Sequence, residues 1–264
     1  MIDKELFINK REKRYLEKVN DNLALKGEIE DYYKNFYVKE RMPDLLGKTI
    51  SVTKNQFGNI YNLIEEICKV LEMDNVDAYV FEDFYYGVES KGVGEYWIEI
   101  SAKTIEDLTL RQISFLIAKE LYNIKFKNTY YSSIISRCIK NFEMVMLPGM
   151  DISAEALKIS MYKWHRVMNF SSDNFAYVVC GNLKDSIDAV LLTILNNKTL
   201  INKVNVSEYI KQASKIDSLD DEAYNNTKLD EMVPYGPYRV KNLISYASSV
   251  RAKEAKIRVS INIK

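Results

Sequence analysis

The chain has 264 residues, 47% hydrophobic and 28% charged, which is enough apolar material for a sizeable core. Lysine plus arginine equals aspartate plus glutamate at 37 each, so the balance gives no general reason to expect nucleic acid or an anionic membrane as partner. Only 9 glycines and 4 prolines argue against low-complexity segments and a loop-dominated all-β fold.

Residues 3–40 carry Lys, Glu, Leu and Tyr at helical spacing. Met42-Pro43 is predicted to interrupt them, because the residue before proline is pushed out of the helical region. The opening MIDKELFINKREKRYLEK is charged and has no apolar stretch of the kind a secretory signal needs. No window approaches the roughly 18 apolar residues of a membrane span. A soluble, cytoplasmic protein is the expectation. Within 53–73, Ile60, Leu63, Ile64, Ile67, Val70 and Leu71 share one stripe of an amphipathic helix. The period then changes. VDAYVFEDF (76–84) and EYWIEIS (95–101) read as two strands joined by a glycine-bearing turn region. Tyr96, Ile98 and Ile100 would face one side of the second strand; Trp97, Glu99 and Ser101 would face the other.

Thr104 to Asp107 fits a helix cap followed by acids. A long helix is predicted after it through Leu110, Ile113, Ile117, Leu121 and Ile124. Pro148-Gly149 marks a break, after which 153–167, 174–181 and 185–197 read as helices, with Gly181 a stop signal. VPYGPY (233–238) reads as a loop, and the terminal RVSINIK alternates like a short strand. Helices, then a small sheet, then helices define an α+β protein. Cys68, Cys138 and Cys180 are far apart and flanked by apolar residues, as reduced, buried thiols would be.

Two stretches carry the functional reading. LIAKELYNIKF (117–127) places Glu120 on a helix between Lys119 and Asn123. Histidines at those two flanking positions would make it the zinc helix of a metallopeptidase. WHRVMNFSSD (164–173) follows in the same order as a known second motif. Together with the strand pair before the first motif, residues 60–195 resemble the HtpX and CAAX-prenyl-protease family of zinc metallopeptidases, which are gluzincins. The resemblance implies a minimal zincin-like fold, mostly helical, with a small antiparallel sheet beside the former zinc helix. It implies a metallopeptidase-like core at 56–198, between an N-terminal helical segment (1–55) and a C-terminal extension (199–264). Trp164, Arg166 and Asp173 match the second motif, and Glu120 stands at the catalytic base. All three ligand positions are lost: Lys119 and Asn123 replace the histidines, and Asn169 replaces the ligand glutamate. Amides are weak ligands for zinc and an ammonium is none, so no zinc and no other cofactor is expected. The single histidine, His165, lies beside the ligand positions rather than on one.

Removing a dication leaves Glu120 and Asp173 to be compensated. Either Lys119 pairs with one of them, with Asn123 and Asn169 completing the site, or its side chain runs out to solvent. The implied function is a catalytically inactive metallopeptidase homologue that binds a peptide or protein partner. The strand bearing Tyr96, Trp97, Ile98 and Glu99 would pair with an extended peptide, or else is simply paired within the sheet. A non-zinc enzyme using the Lys/Glu/Asp cluster for acid–base or amine chemistry is the alternative. A peptidase with another metal, or with ligands from a partner chain, is a third.

Overall fold

The computed structural model describes residues 2–20, 26–144 and 150–259. The expected break at Pro148-Gly149, most of the terminal RVSINIK and the side chain of Cys138 lie outside the described residues.

In chain order the elements are α1 (Glu12–Asn20), α2 (Lys26–Tyr32), α3 (Val38–Lys48), β1 (Ile50–Ser51), α4 (Gly58–Val70), β2 (Asp77–Phe81), β3 (Val88–Val93), β4 (Glu95–Ser101), α5 (Ala102–Asp107) and α6 (Leu110–Lys125). They continue with α7 (Asn128–Met144), α8 (Met150–Cys180), α9 (Leu183–Leu195), α10 (Val206–Ser218), α11 (Glu222–Leu229), α12 (Gly236–Ala247) and α13 (Val250–Arg258). The chain is thus mostly helical with one small sheet, an α+β arrangement.

Three local expectations need correction. Pro43 does not end a helix but lies inside α3. Val38 and Leu45, on either side of it, pack with Tyr79 and Trp97, and that tertiary contact outweighs the lost backbone donor. Thr104 is not a cap. Ser101 caps α5, and Thr109 caps α6 with a full capping box to Gln112. Thr104 is instead fully buried, its hydroxyl on Ser101 and the Gly87 backbone. VPYGPY is a loop only in part, because α12 starts at Gly236 with Pro237 in its first turn, where a missing N–H costs nothing.

The sheet also differs from the expectation. Its order is β1-β2-β4-β3. β1 and β2 are antiparallel, β2 and β4 parallel, β3 and β4 antiparallel. The sheet is therefore mixed, and the supposed turn region contains a strand, β3. Gly92 holds a left-handed φ of 102° just before the turn into β4, and a Cβ there would fall 1.9 Å from the Glu95 carbonyl oxygen.

β4 is buried on both faces, as an interior strand must be. Ile98 and Ile100 join Ala78, Val80 and the α4 stripe in the main core. Trp97 lies on the opposite face with Tyr79 and α3. α6 runs through the middle of the molecule. Ile113, Ile117, Leu121 and Ile124 are buried, each contributing about 1.5–3 kcal/mol. It packs most extensively on α8. The 153–167 and 174–181 segments predicted separately are parts of that one helix. The main core draws on all three segments of the chain, from Leu6 and Phe7 through α4, α6 and α9 to Leu243 and Val259. Cys68 and Cys180 are buried free thiols, as expected, and burial pushes Cys68 up to about 11.

Candidate functional site

Two helices converge on one cleft. Lys119 and Asn123 stand one turn apart on α6, and His165 and Asn169 one turn apart on α8, so each pair shares a helix face. All four, with Glu120, line a cleft of about 340 Å³. One wall is β3, through Glu89 to Gly92; another is the start of α7, through Thr129, Ser132 and Ser133. The structure thus brings together Glu120, Lys119, Asn123 and Asn169, the four positions that the sequence resemblance singles out. Asp173 is not among the cleft residues; it is fully buried behind them.

Glu120 is held tightly. Its Oε2 accepts from the Ser90 backbone N–H (3.1 Å), the Ser90 hydroxyl (2.6 Å) and Asn123 Nδ2 (3.3 Å). Having donated its proton, the Ser90 hydroxyl accepts from Thr129 (2.7 Å). Asn123 in turn accepts from Asn128 (3.2 Å). The glutamate therefore ties the β3 edge to α6 and α7. Such charge-assisted bonds contribute about 1.5–3 kcal/mol each. No bond reaches Oε1 among the described residues.

Of the two alternatives for Lys119, the ion pair does not form among the described residues. Asp173 is taken by Arg239 of α12, which forms a two-pronged bond: Nε donates to Oδ2 and Nη2 to Oδ1, both at 2.8 Å. Both partners are buried, with side-chain exposures of 8% and 0%. Among the described residues Lys119 makes no ion pair or hydrogen bond, and it is half-buried in the cleft wall. Burial, and then the positive charge of Arg239, hold its ammonium below the ordinary lysine range, against the pull of Asp173 and Glu120.

Asn169 Nδ2 donates to the His165 carbonyl (2.8 Å) and faces His165 Nδ1 (3.0 Å). Nδ1 also lies 3.3 Å from the Met232 carbonyl, so one protonation state satisfies only one of these neighbours. Burial, and then the charge of Lys119, push His165 down to about 3. The imidazole is neutral at pH 7. Zinc does not fit this donor set. Lys119, Asn123 and Asn169 bring an ammonium and two amides to the cleft, and among the described residues no group of three or more His, Cys, Asp or Glu side chains could hold a metal ion.

Of the two readings of the strand at 95–101, pairing within the sheet is the one the structure shows. Tyr96, Trp97, Ile98 and Glu99 lie on β4, which is bonded to β2 on one side and β3 on the other. It has no open edge to offer, and Glu99 is tied to Trp97 Nε1 (2.9 Å) and Arg41 (3.2 Å). β3 is the edge strand that borders the cleft. The sequence reading missed Ser90, Ser132 and Arg239. Alternation of small and polar residues in VESKGV is the one weak signal for Ser90. Arg239 lies 66 residues from its partner, with no local signal at all.

Known proteins point to a metallopeptidase-like relationship, and a distant one. The chain is 21% identical over 174 residues to the plastoglobule-localized metallopeptidase 48 of Arabidopsis thaliana chloroplasts. The match takes in 65% of this chain and 50% of that protein, so the chain spans about half the length of the curated relative it matches. No protein-family profile matches the chain, and no solved structure does. Among the described residues no helix is long and apolar enough to cross a membrane.

Proposed function

We propose that this chain is a metallopeptidase homologue that has exchanged its zinc site for a metal-free binding cleft, and that it works by holding a peptide segment of a protein partner there. The observation that carries the reading is the convergence of Lys119, Glu120, Asn123 and Asn169 on one cleft, although they come from two helices. The distant likeness to a metallopeptidase supports it. The cleft is bordered by the edge strand β3, along which an extended peptide would add by displacing Glu120 from the Ser90 N–H; that mode needs no metal. Lys119, Glu120, Asn123 and Asn169 then serve as polar walls for the peptide.

The test is selection of peptides from a displayed random library on the intact chain, followed by amide shift mapping. Selected peptides are expected to shift β3 amides from Val88 to Val93, and to lose binding when Asn123→Trp fills the cleft. Peptides that map elsewhere, or stoichiometric zinc with hydrolysis abolished by Glu120→Gln, would overturn the reading.

A further inference from the structure

The cleft walls contain polar groups that the fold itself leaves without partners. Ser132 Oγ is buried there and forms no hydrogen bond. Glu120 Oε1 accepts none, since the bonds to that carboxylate all fall on Oε2. Lys119 Nζ has no counter-ion, because Asp173 is closed off by the two-pronged bond to Arg239. Of these only Ser132 Oγ is shut away from water, and an unmet buried polar group costs about 1–3 kcal/mol, so a chain retains it where a ligand meets it. An ammonium denied its carboxylate is a different case from the others. Deprotonated, it is a nucleophile in a cleft that Glu120 also lines.

We propose that Lys119 is an amine nucleophile, and that the cleft captures a small aldehyde or ketone as an imine on Nζ. The Nζ lone pair attacks the carbonyl carbon, and the C=O π pair moves to oxygen. A proton passes from nitrogen to that oxygen, giving a carbinolamine. The hydroxyl takes a second proton and leaves as water, and the nitrogen gives up its remaining proton. The sum is amine plus carbonyl giving imine plus water, with no change of oxidation state. Glu120 Oε1 is the group that relays these protons, and Ser132 supplies a hydroxyl to the carbonyl compound. The charged and titratable groups around Nζ are Glu120 on α6, Asp173 and His165 on α8, Arg239 on α12, and the Glu89–Lys91 pair (2.7 Å) on β3. Arg239 neutralises Asp173, Lys91 neutralises Glu89, and His165 is neutral, so Glu120 is the one carboxylate left to act. The downward shift of the Lys119 ammonium is in the direction this chemistry requires. The inference does not rest on peptide binding; the two share only the cleft.

The experiment uses the intact chain at pH 7 with acetaldehyde, and separately pyruvate, in the presence of cyanoborohydride, with the alkylated lysines located by peptide mass mapping. Each unit by which a lysine lies below its ordinary range raises its free-amine fraction about tenfold at this pH. Lys119 is therefore expected to be trapped faster than the exposed Lys241. Trapping of Lys119 at or below the rate of Lys241 with both probes overturns the proposal. Lys119→Arg is expected to abolish the fast adduct. A fast adduct that survives in Lys119→Arg assigns the chemistry to another lysine and refutes the proposal as well.

Discussion

Replacing Arg239 with methionine removes the cation that neutralises Asp173. The bond is two-pronged at 2.8 Å on both arms, and Asp173 has no exposure to water. Breaking one side of such a pair leaves a buried charge uncompensated, at about 3–5 kcal/mol. Exposed pairs such as Lys211–Glu208 contribute at most about 1 kcal/mol, so the two cases are easily told apart. For a chain of this size each kcal/mol moves the midpoint by about 2–4 °C, and Arg239→Met should therefore lower Tm by roughly 6–20 °C. Trp97 and Trp164 are both buried and report unfolding by fluorescence in urea. The double variant Arg239→Met with Asp173→Asn removes both charges and should lie closer to the parent than Arg239→Met alone. A loss below about 1 kcal/mol in the single variant, or simple additivity in the double, would refute the view that α12 carries the charge compensation.

Two further outcomes follow from the cleft. Ser90→Ala removes the 2.6 Å hydroxyl bond to Glu120 and should cost about 1.5–3 kcal/mol in urea unfolding; a loss under 0.5 kcal/mol, on the order of an ordinary surface change, would contradict the network drawn around Glu120. His165 should make the fold acid-sensitive. Its folded value of about 3 lies below the ordinary 6.5, so between those values the unfolded chain binds a proton that the folded chain refuses. Stability then falls as pH drops through that window, by up to about 1.4 kcal/mol per unit, and is unaffected by this group above it. His165→Gln removes this component. If parent and variant lose stability in parallel between pH 7 and 4, the imidazole is not held neutral.

The sequence and the structure agree where the signal is local and periodic. The apolar stripes of α4 and α6 are buried where the spacing places them, because a helix that buries one face must repeat apolar residues every three or four positions. The same spacing put Lys119, Glu120 and Asn123 on the cleft side of α6. β3 was hidden because VESKGV has few branched or aromatic residues and lies among Gly87, Gly92 and Gly94, which read as turns. Missing that strand made β4 look like an edge, although it is bonded on both sides. Arg239 was invisible for another reason. Its role depends on α12 folding back onto α8, and no pattern within PYRV encodes a partner 66 residues away.

The docking of residues 3–12 has a kinetic consequence. The backbone of this segment is held by Asn174 at the Phe7 carbonyl, Tyr246 at the Leu6 carbonyl and Arg251 at the Ile8 carbonyl. Glu12 is buried against Lys4 and Ser171. Phe7 is fully buried between Tyr122 and Phe175. The Leu6–Tyr246 link spans 240 positions. During synthesis at about 5–20 residues per second, Leu6 waits roughly 10–50 s for Tyr246 to be made. Through that interval Leu6 and Phe7 are apolar side chains with part of their site missing, a target for chaperones and proteases on the ribosome. Closure over residues 3–12 then waits until α12 and α13 have been made, and truncation within α12 or α13 should release residues 3–12 first.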